Sequence, residues 1–191
     1  MIATAPLTPD RTALLLIDAQ QEHFIPGGPH EVPHAAAALG HASALLQRAR
    51  RVGAHVVHVR HVGEDPLFED FRRDGPGFAF RPEVAPALGE PVIDKRSHSA
   101  FDGTPLEREL AVRGVEAVVV VGFTSGTGCT ATAKEALVRR FRTLVAADAT
   151  AAGPHGAFGP FEVHDRALTA QRRLGAEVLS SATIEDLLEE G

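Results

Sequence analysis

Apolar residues gather in short runs at 13–17, 55–59, 92–93, 117–121, 144–147 and 178–179, and between these runs their spacing changes to threes and fours. A strand-length run that is apolar throughout, as Val118-Val119-Val120-Val121 is, fits a strand buried on both faces. The stretch 35–51 places Leu39, Ala42, Leu45, Leu46 and Ala49 at helical intervals. It leaves Gln47, Arg48, Arg50 and Arg51 for a solvated face, and Gly53 ends the helix. Thr104-Pro105 opens a second helix that runs through Leu106, Leu110 and Val112 to Gly114, with threonine suited to the N-cap and proline to the first turn. Further helices are predicted at 129–140, 163–174 and 183–189. Strand and helix alternate, which predicts a central, mainly parallel sheet of about six strands in a three-layer α/β/α, Rossmann-like domain.

One segment interrupts the alternation. Residues 62–89 carry Pro66, Pro76, Pro82 and Pro86 among Phe68, Phe71, Phe78 and Phe80, a long excursion between strands of the kind that often serves function. Its phenylalanines are expected either to line a pocket or subunit contact, or to cap the sheet edge.

Composition narrows the function classes. The 191 residues suit one domain spanning 1–191, and 44% apolar with 23% charged residues is ordinary globular usage. The balance of 19 Lys+Arg against 25 Asp+Glu gives 19 − 25 = −6, without the basic excess that phosphate neutralisation on nucleic acid requires. Cys129 is the single cysteine, so no intrachain disulfide forms, and no apolar run approaches the roughly 20 residues of a membrane span. With neither a basic stretch nor an apolar signal core in residues 1–10, a cytoplasmic location is expected, with no nucleic-acid or membrane partner.

In open α/β sheets, ligands bind beyond the carboxyl ends of the strands. Asp18 follows Leu14-Leu15-Leu16-Ile17, Lys95 follows Val92-Ile93-Asp94, and Cys129 stands after the 117–121 run at the start of a helix, so all three face one edge. A thiol at a helix N-terminus beside a cation is expected to have a lowered pKa and to act as a nucleophilic thiolate. The carboxylate would carry its proton to and from the leaving group, and the ammonium would offset the charge of the ensemble. The loop Gly122-Phe123-Thr124-Ser125-Gly126-Thr127-Gly128 supplies backbone amides where an oxyanion would form, and it matches neither a phosphate loop nor a dinucleotide fingerprint. Taken singly, each residue has a structural explanation; their joint placement points to chemistry. His30, His34 and His41 lack an acidic ligand at matching spacing and Pro33 breaks the helix before His34, so no metal is assigned. His58 and His61 are expected either at a pocket rim or as loop polar groups.

Three segments resemble the signature blocks of the isochorismatase-like cysteine hydrolases. They are Leu15-Leu16-Ile17-Asp18-Ala19-Gln20 with Phe24, Asp94-Lys95-Arg96-Ser97-His98-Ser99-Ala100-Phe101-Asp102-Gly103-Thr104, and Val120-Val121-Gly122 through Cys129-Thr130-Ala131-Thr132-Ala133. Asp148-Ala149, expected to close the fifth strand, and His164 resemble later positions of the family. The resemblance implies an Asp18-Lys95-Cys129 triad, an oxyanion hole at Ser125, Gly128 and Cys129, substrate contacts from Gln20, Phe24, Phe101 and Thr124, and a non-proline cis peptide near Thr124-Ser125. It also implies a homodimer or homotetramer acting on a small molecule without cofactor. Amidases of the family mostly have six positions from the loop glycine to the cysteine; here there are seven, which looks more like the isochorismatase branch. The nicotinamidase Asp-x-His motif is replaced by His58-Val59-Arg60-His61-Val62-Gly63-Glu64-Asp65. The expected function is hydrolysis of a small amide, ureido or carbamoyl compound by the cysteine. The alternatives are isochorismatase-type vinyl-ether hydrolysis with Asp18 as the acid, and a non-catalytic small-molecule binding module.

Overall fold

In the computed structural model, which describes residues 5–63 and 70–191, six strands form one parallel sheet. They are β1 (Thr12–Ile17), β2 (His55–His61), β3 (Val92–Lys95), β4 (Ala117–Phe123), β5 (Arg142–Ala151) and β6 (Glu177–Leu179), in the order β3-β2-β1-β4-β5-β6. The helices are α1 (Ala35–Val52), α2 (Leu106–Val112), α3 (Thr130–Val138), α4 (Pro160–Leu174) and α5 (Ser181–Glu189). Every residue of β1 and β4 is buried, the consequence of a sheet covered on both sides. Leu14 and Leu16 of β1 pack with Val119, Val121 and the apolar faces of α1 and α5. Ala13, Leu15 and Ile17 point the other way, to Val118, Val120, Leu106 and Leu110 of α2, Ala133 of α3 and Leu168 of α4.

The order of strands reverses between β1 and β4. The chain leaves β1 toward β2 and β3 on one side, then returns to β4 and proceeds to β5 and β6 on the other. A crevice opens at such a switch point, and both Asp18, one residue past β1, and the turn after β4 border it. The register pairs Ile17 with Gly122. Gly122 has φ +111°, and a Cβ there would overlap the carbonyl oxygen of Ile17, so only glycine lets β4 approach β1 this closely.

Helix boundaries shift where a cap decides them. α4 starts at Pro160, three residues before the predicted position, because proline at the first turn loses no hydrogen bond. α5 starts at Ser181 rather than 183, with the Ser180 hydroxyl accepting from the Thr183 amide at 3.2 Å. In α2 the N-cap is Pro105, one residue after the expected Thr104, whose hydroxyl nevertheless accepts from the Leu106 amide at 3.2 Å. Asp148 does not close β5: the strand runs on to Ala151 through a register shift between Val120 and Gly122, and the Asp148 carboxylate accepts from the amide and hydroxyl of Ser181. Cys129 does not begin α3 but ends a π-helical turn, Ser125–Cys129, that precedes it.

The excursion is anchored beyond the carboxyl end of β1, a central strand, by an antiparallel bridge between Gln20 and Phe80. Phe78 and Phe80 lie under the Arg60 guanidinium, which is 4.2 Å and 5.6 Å from their ring centroids. Pro66 and Phe68, with Glu64 and Asp65, fall outside the described residues.

Candidate active site

Asp18 takes φ +47°, a left-handed conformation that aspartate tolerates better than branched residues, and its amide donates to Val59 O at the end of β2. This turn directs the carboxylate across the crevice rather than along the strand. Lys95 ends β3, two strands away, and its long side chain reaches over β2, so that Nζ lies 2.6 Å from Asp18 Oδ2 and 3.1 Å from Ser97 O. Both side chains are nearly sealed from solvent, at 8% and 2% exposure, so this is a buried ion pair rather than a surface one. Asp18 Oδ1 is buried without a hydrogen-bond partner among the described residues. Gly128 stands against the pair, since a Cβ there would be 3.3 Å from Asp18 Oδ2, and the fully buried Cys129 follows it.

Burial sets the protonation of the site. It pushes the Asp18 carboxyl up to about 6 against the opposing pull of Lys95. It also raises the Cys129 thiol far above its ordinary range, with Asp18 adding to the rise and Lys95 subtracting. The expected lowering of the thiol therefore does not occur. The physical reason is that Cys129 sits inside the π turn, out of water, where desolvation of a thiolate outweighs both helix terminus and ammonium. The resting thiol keeps its proton, and a nearby carboxylate with a pKa close to neutrality is suited to receive it.

The turn after β4, where the sequence predicts an oxyanion hole, is tightly built. The Phe123–Thr124 peptide is cis, one bond before the expected position. The Cys129 amide donates to Thr124 O at 3.1 Å, so an incoming oxygen must compete for it. Thr124 and Thr127 share a hydroxyl contact of 2.6 Å at the rim. Five of the residues from Gly122 to Cys129 form the π turn, whose i→i+5 bonding takes in one more residue per turn than an α turn.

Two of the expected substrate contacts are committed elsewhere. Gln20 is fully buried, and its side chain bonds only backbone: Nε2 donates to His61 O and Phe78 O at 3.1 Å each, and Oε1 accepts from the His61 amide at 2.7 Å. It fastens the excursion to β2 and has no polar group left for a substrate. Phe101 is a core residue, stacked on Phe141 at 6.1 Å under the Arg139 guanidinium. Phe24 does line a concavity of about 460 Å³ with His23, Val32, Pro33, His34 and the first turn of α1, and its ring meets Phe123 edge-on at 5.5 Å. A larger hollow of about 650 Å³ runs along α4 alone, and neither hollow is lined by Asp18, Lys95 or Cys129.

Histidines form a wall that sequence spacing did not reveal. Phe71, held at φ +54°, meets the rings of His23, His30 and His61 at 5.4, 5.0 and 5.1 Å. Burial lowers His23 and His61 to about 4, with Lys95 contributing to both, so these rings are neutral near the triad. His23 and His61 lie far apart in sequence and come together on the one ring of Phe71. His58 reaches no rim: it is fully buried, with Nε2 2.8 Å from Glu90 Oε2. Among the described residues, no three His, Cys, Asp or Glu side chains converge to hold a metal ion.

The sequence profile of the isochorismatase domain matches residues 12–183. Over 148 residues the chain is 36% identical to the maleamate amidohydrolase of Pseudomonas putida, covering 71% of this chain and 70% of that protein. Its fold superposes on a crystal structure of a cysteine hydrolase from Pseudomonas syringae pv. phaseolicola with TM-score 0.91 and 24% identity, over 100% of this chain and 99% of the other. It also superposes on the N-carbamoylsarcosine amidase of Thermoplasma acidophilum with TM-score 0.74 and 29% identity, over 90% of this chain and 96% of the other.

Proposed function

The chain belongs to the isochorismatase family of hydrolases, and on that premise we propose that it cleaves the C–N bond of a small amide, ureido or carbamoyl compound through a thioester on Cys129. The observation that carries this reading is the Asp18 carboxylate: Oδ2 is fixed by Lys95 at 2.6 Å and stands against Gly128, the residue before Cys129, while Oδ1 is buried and unpartnered among the described residues. Two similar proteins, the maleamate and N-carbamoylsarcosine enzymes, bear the names of amide hydrolases.

In this mechanism Asp18 takes the proton from Sγ as the sulfur bonds to the substrate carbonyl carbon, whose π electrons move to oxygen. The backbone amides of Ser125, Gly128 and Cys129 hold that oxyanion, the last of them turning from Thr124 O. Collapse of the intermediate expels the nitrogen, which receives the proton from Asp18 and leaves a thioester. Asp18 then takes a proton from water, the resulting hydroxide equivalent attacks the thioester, and the proton returns to the departing sulfur. Lys95 keeps the carboxylate ionised between these transfers and balances the charge when the proton is elsewhere. Phe24 and Thr124 border the space in which the substrate sits.

The same raised carboxyl supports a second reading. A buried acid with a pKa of about 6 can protonate the enol ether of an isochorismate-like compound, a reaction that needs no thiol nucleophile. Turnover of amide and ureido compounds and of isochorismate by wild type, Cys129→Ala and Asp18→Asn separates the two. Amide cleavage lost in both variants is the expected result; isochorismate cleavage that survives Cys129→Ala moves the chemistry to Asp18 alone. Failure of the wild type on both panels would leave the fold as a binding module.

A further inference from the structure

The turn that carries Cys129 has little rigidity of its own. Ser125-Gly126-Thr127-Gly128 contains two glycines in four residues, and a π turn is intrinsically less favourable than an α turn. It is nevertheless clamped from outside by α4. His164 Nδ1 lies 3.0 Å from the Ser125 hydroxyl, and Ser125 is fully buried. Two helical turns further along the same face, the fully buried Gln171 donates from Nε2 to Ser125 O at 3.1 Å and to Thr130 Oγ1 at 2.8 Å. The Thr130 hydroxyl closes the ring by donating to Ser125 O at 2.7 Å. Gly126 completes the contact, since a Cβ there would press on Val163 of α4 at 3.3 Å.

We propose that His164 is a positioning residue: through the Ser125 hydroxyl it fixes the pitch of the π turn, and with it the aim of the Cys129 sulfur and of the amides that hold the oxyanion. The inference rests on Cys129 being the nucleophile. His164 touches no reacting atom, and its ring also meets the backbone of Ala147 in β5. A neutral ring with its proton on Nε2 has its lone pair at Nδ1 and accepts the Ser125 proton there. Burial favours that neutral form. The sheet, α4 and the cysteine turn are thereby coupled through one side chain.

The two ring nitrogens give the test. Asparagine places an acceptor near the position of Nδ1 and keeps the Ser125 contact, whereas glutamine reaches the position of Nε2 and leaves that contact unmade. Kinetics on the best amide of the panel are measured for wild type, His164→Ala, His164→Asn and His164→Gln, with thermal melting of each. The expected result is a fall in kcat of about 10- to 100-fold for His164→Ala with KM within about threefold, since a misplacement of roughly 1 Å at a reacting group has effects of this size. His164→Asn recovers most of kcat and His164→Gln does not. Wild-type kcat in His164→Ala, recovery by glutamine equal to that by asparagine, or a loss that simply tracks melting temperature would overturn the proposal. Cys129→Ala is assayed alongside: activity that survives it removes the thiol mechanism itself, a failure distinct from those of the His164 series.

Discussion

At the scale of single residues, the account turns on what burial does to three groups. Asp18 must be ionised to accept the thiol proton, and burial holds it up at about 6. The acid limb of kcat/KM should therefore have its midpoint near pH 6, with activity rising as pH increases through it; a limb centred near 4 would contradict the buried-carboxylate account. Removing the ammonium leaves that carboxylate without compensation. Lys95→Met should abolish turnover and destabilise the fold by about 3–5 kcal/mol in urea unfolding at neutral pH, the usual cost of breaking a buried pair. That Asp18, Lys95 and Cys129 lie at or beyond the carboxyl ends of the strands was legible in the sequence because each follows an apolar run. The raised thiol was not, since spacing places Cys129 near a helix start but says nothing of the water excluded around it. Gln20 and Phe101 misled for a related reason: they belong to the signature segments, yet one is spent on backbone groups and the other on packing.

At the scale of elements, boundaries moved where a cap or an inserted residue outweighed periodicity. The extra residue between Gly122 and Cys129 was visible as a count, but its resolution into a π turn held by α4 depends on contacts between elements distant in sequence. Gly122 shows how strictly the β1–β4 junction is specified. Gly122→Ala must place a side chain at φ +111° against Ile17 O, and it should lower stability by more than about 1 kcal/mol in chemical denaturation, while an unchanged midpoint would mean that the junction relaxes freely.

For the whole molecule, alternation of strand and helix sufficed to give the layers and the parallel sheet. The strand order and its reversal between β1 and β4, which gather Asp18, Lys95 and Cys129, were accessible only as a general rule about such sheets. The same gathering shapes stability against pH. His23 and His61 are lowered from 6.5 to about 4, so the unfolded chain takes up their protons first, and their stabilisation is complete above pH 6.5 and lost as pH falls toward 4. Asp18 opposes them, since its raised value stabilises most below 3.8 and less as pH rises through about 6, but two groups outweigh one. Around Glu90, burial would raise the carboxyl, yet Arg50, the Ala87 amide and His58 together hold it at about 2, which adds a loss as pH falls from 4.5. The melting temperature should therefore drop between pH 6.5 and 4 and continue to drop below it, with a shallower upper slope in His23→Asn; a flat profile would contradict this. Self-association, implied by the family resemblance, predicts sedimentation as two or four times the 20.2 kDa chain, and a single-chain species at micromolar concentration would exclude it.

The central claim is a covalent bond to one sulfur, and the most direct test is the intact mass of the chain, acid-quenched during turnover of the best amide, for wild type beside Cys129→Ala. The account predicts a wild-type species in which the acyl group has replaced the thiol hydrogen at Cys129, and neither adduct nor turnover in the variant. Wild-type chain that stays unmodified through turnover, together with an active Cys129→Ala, would contradict it.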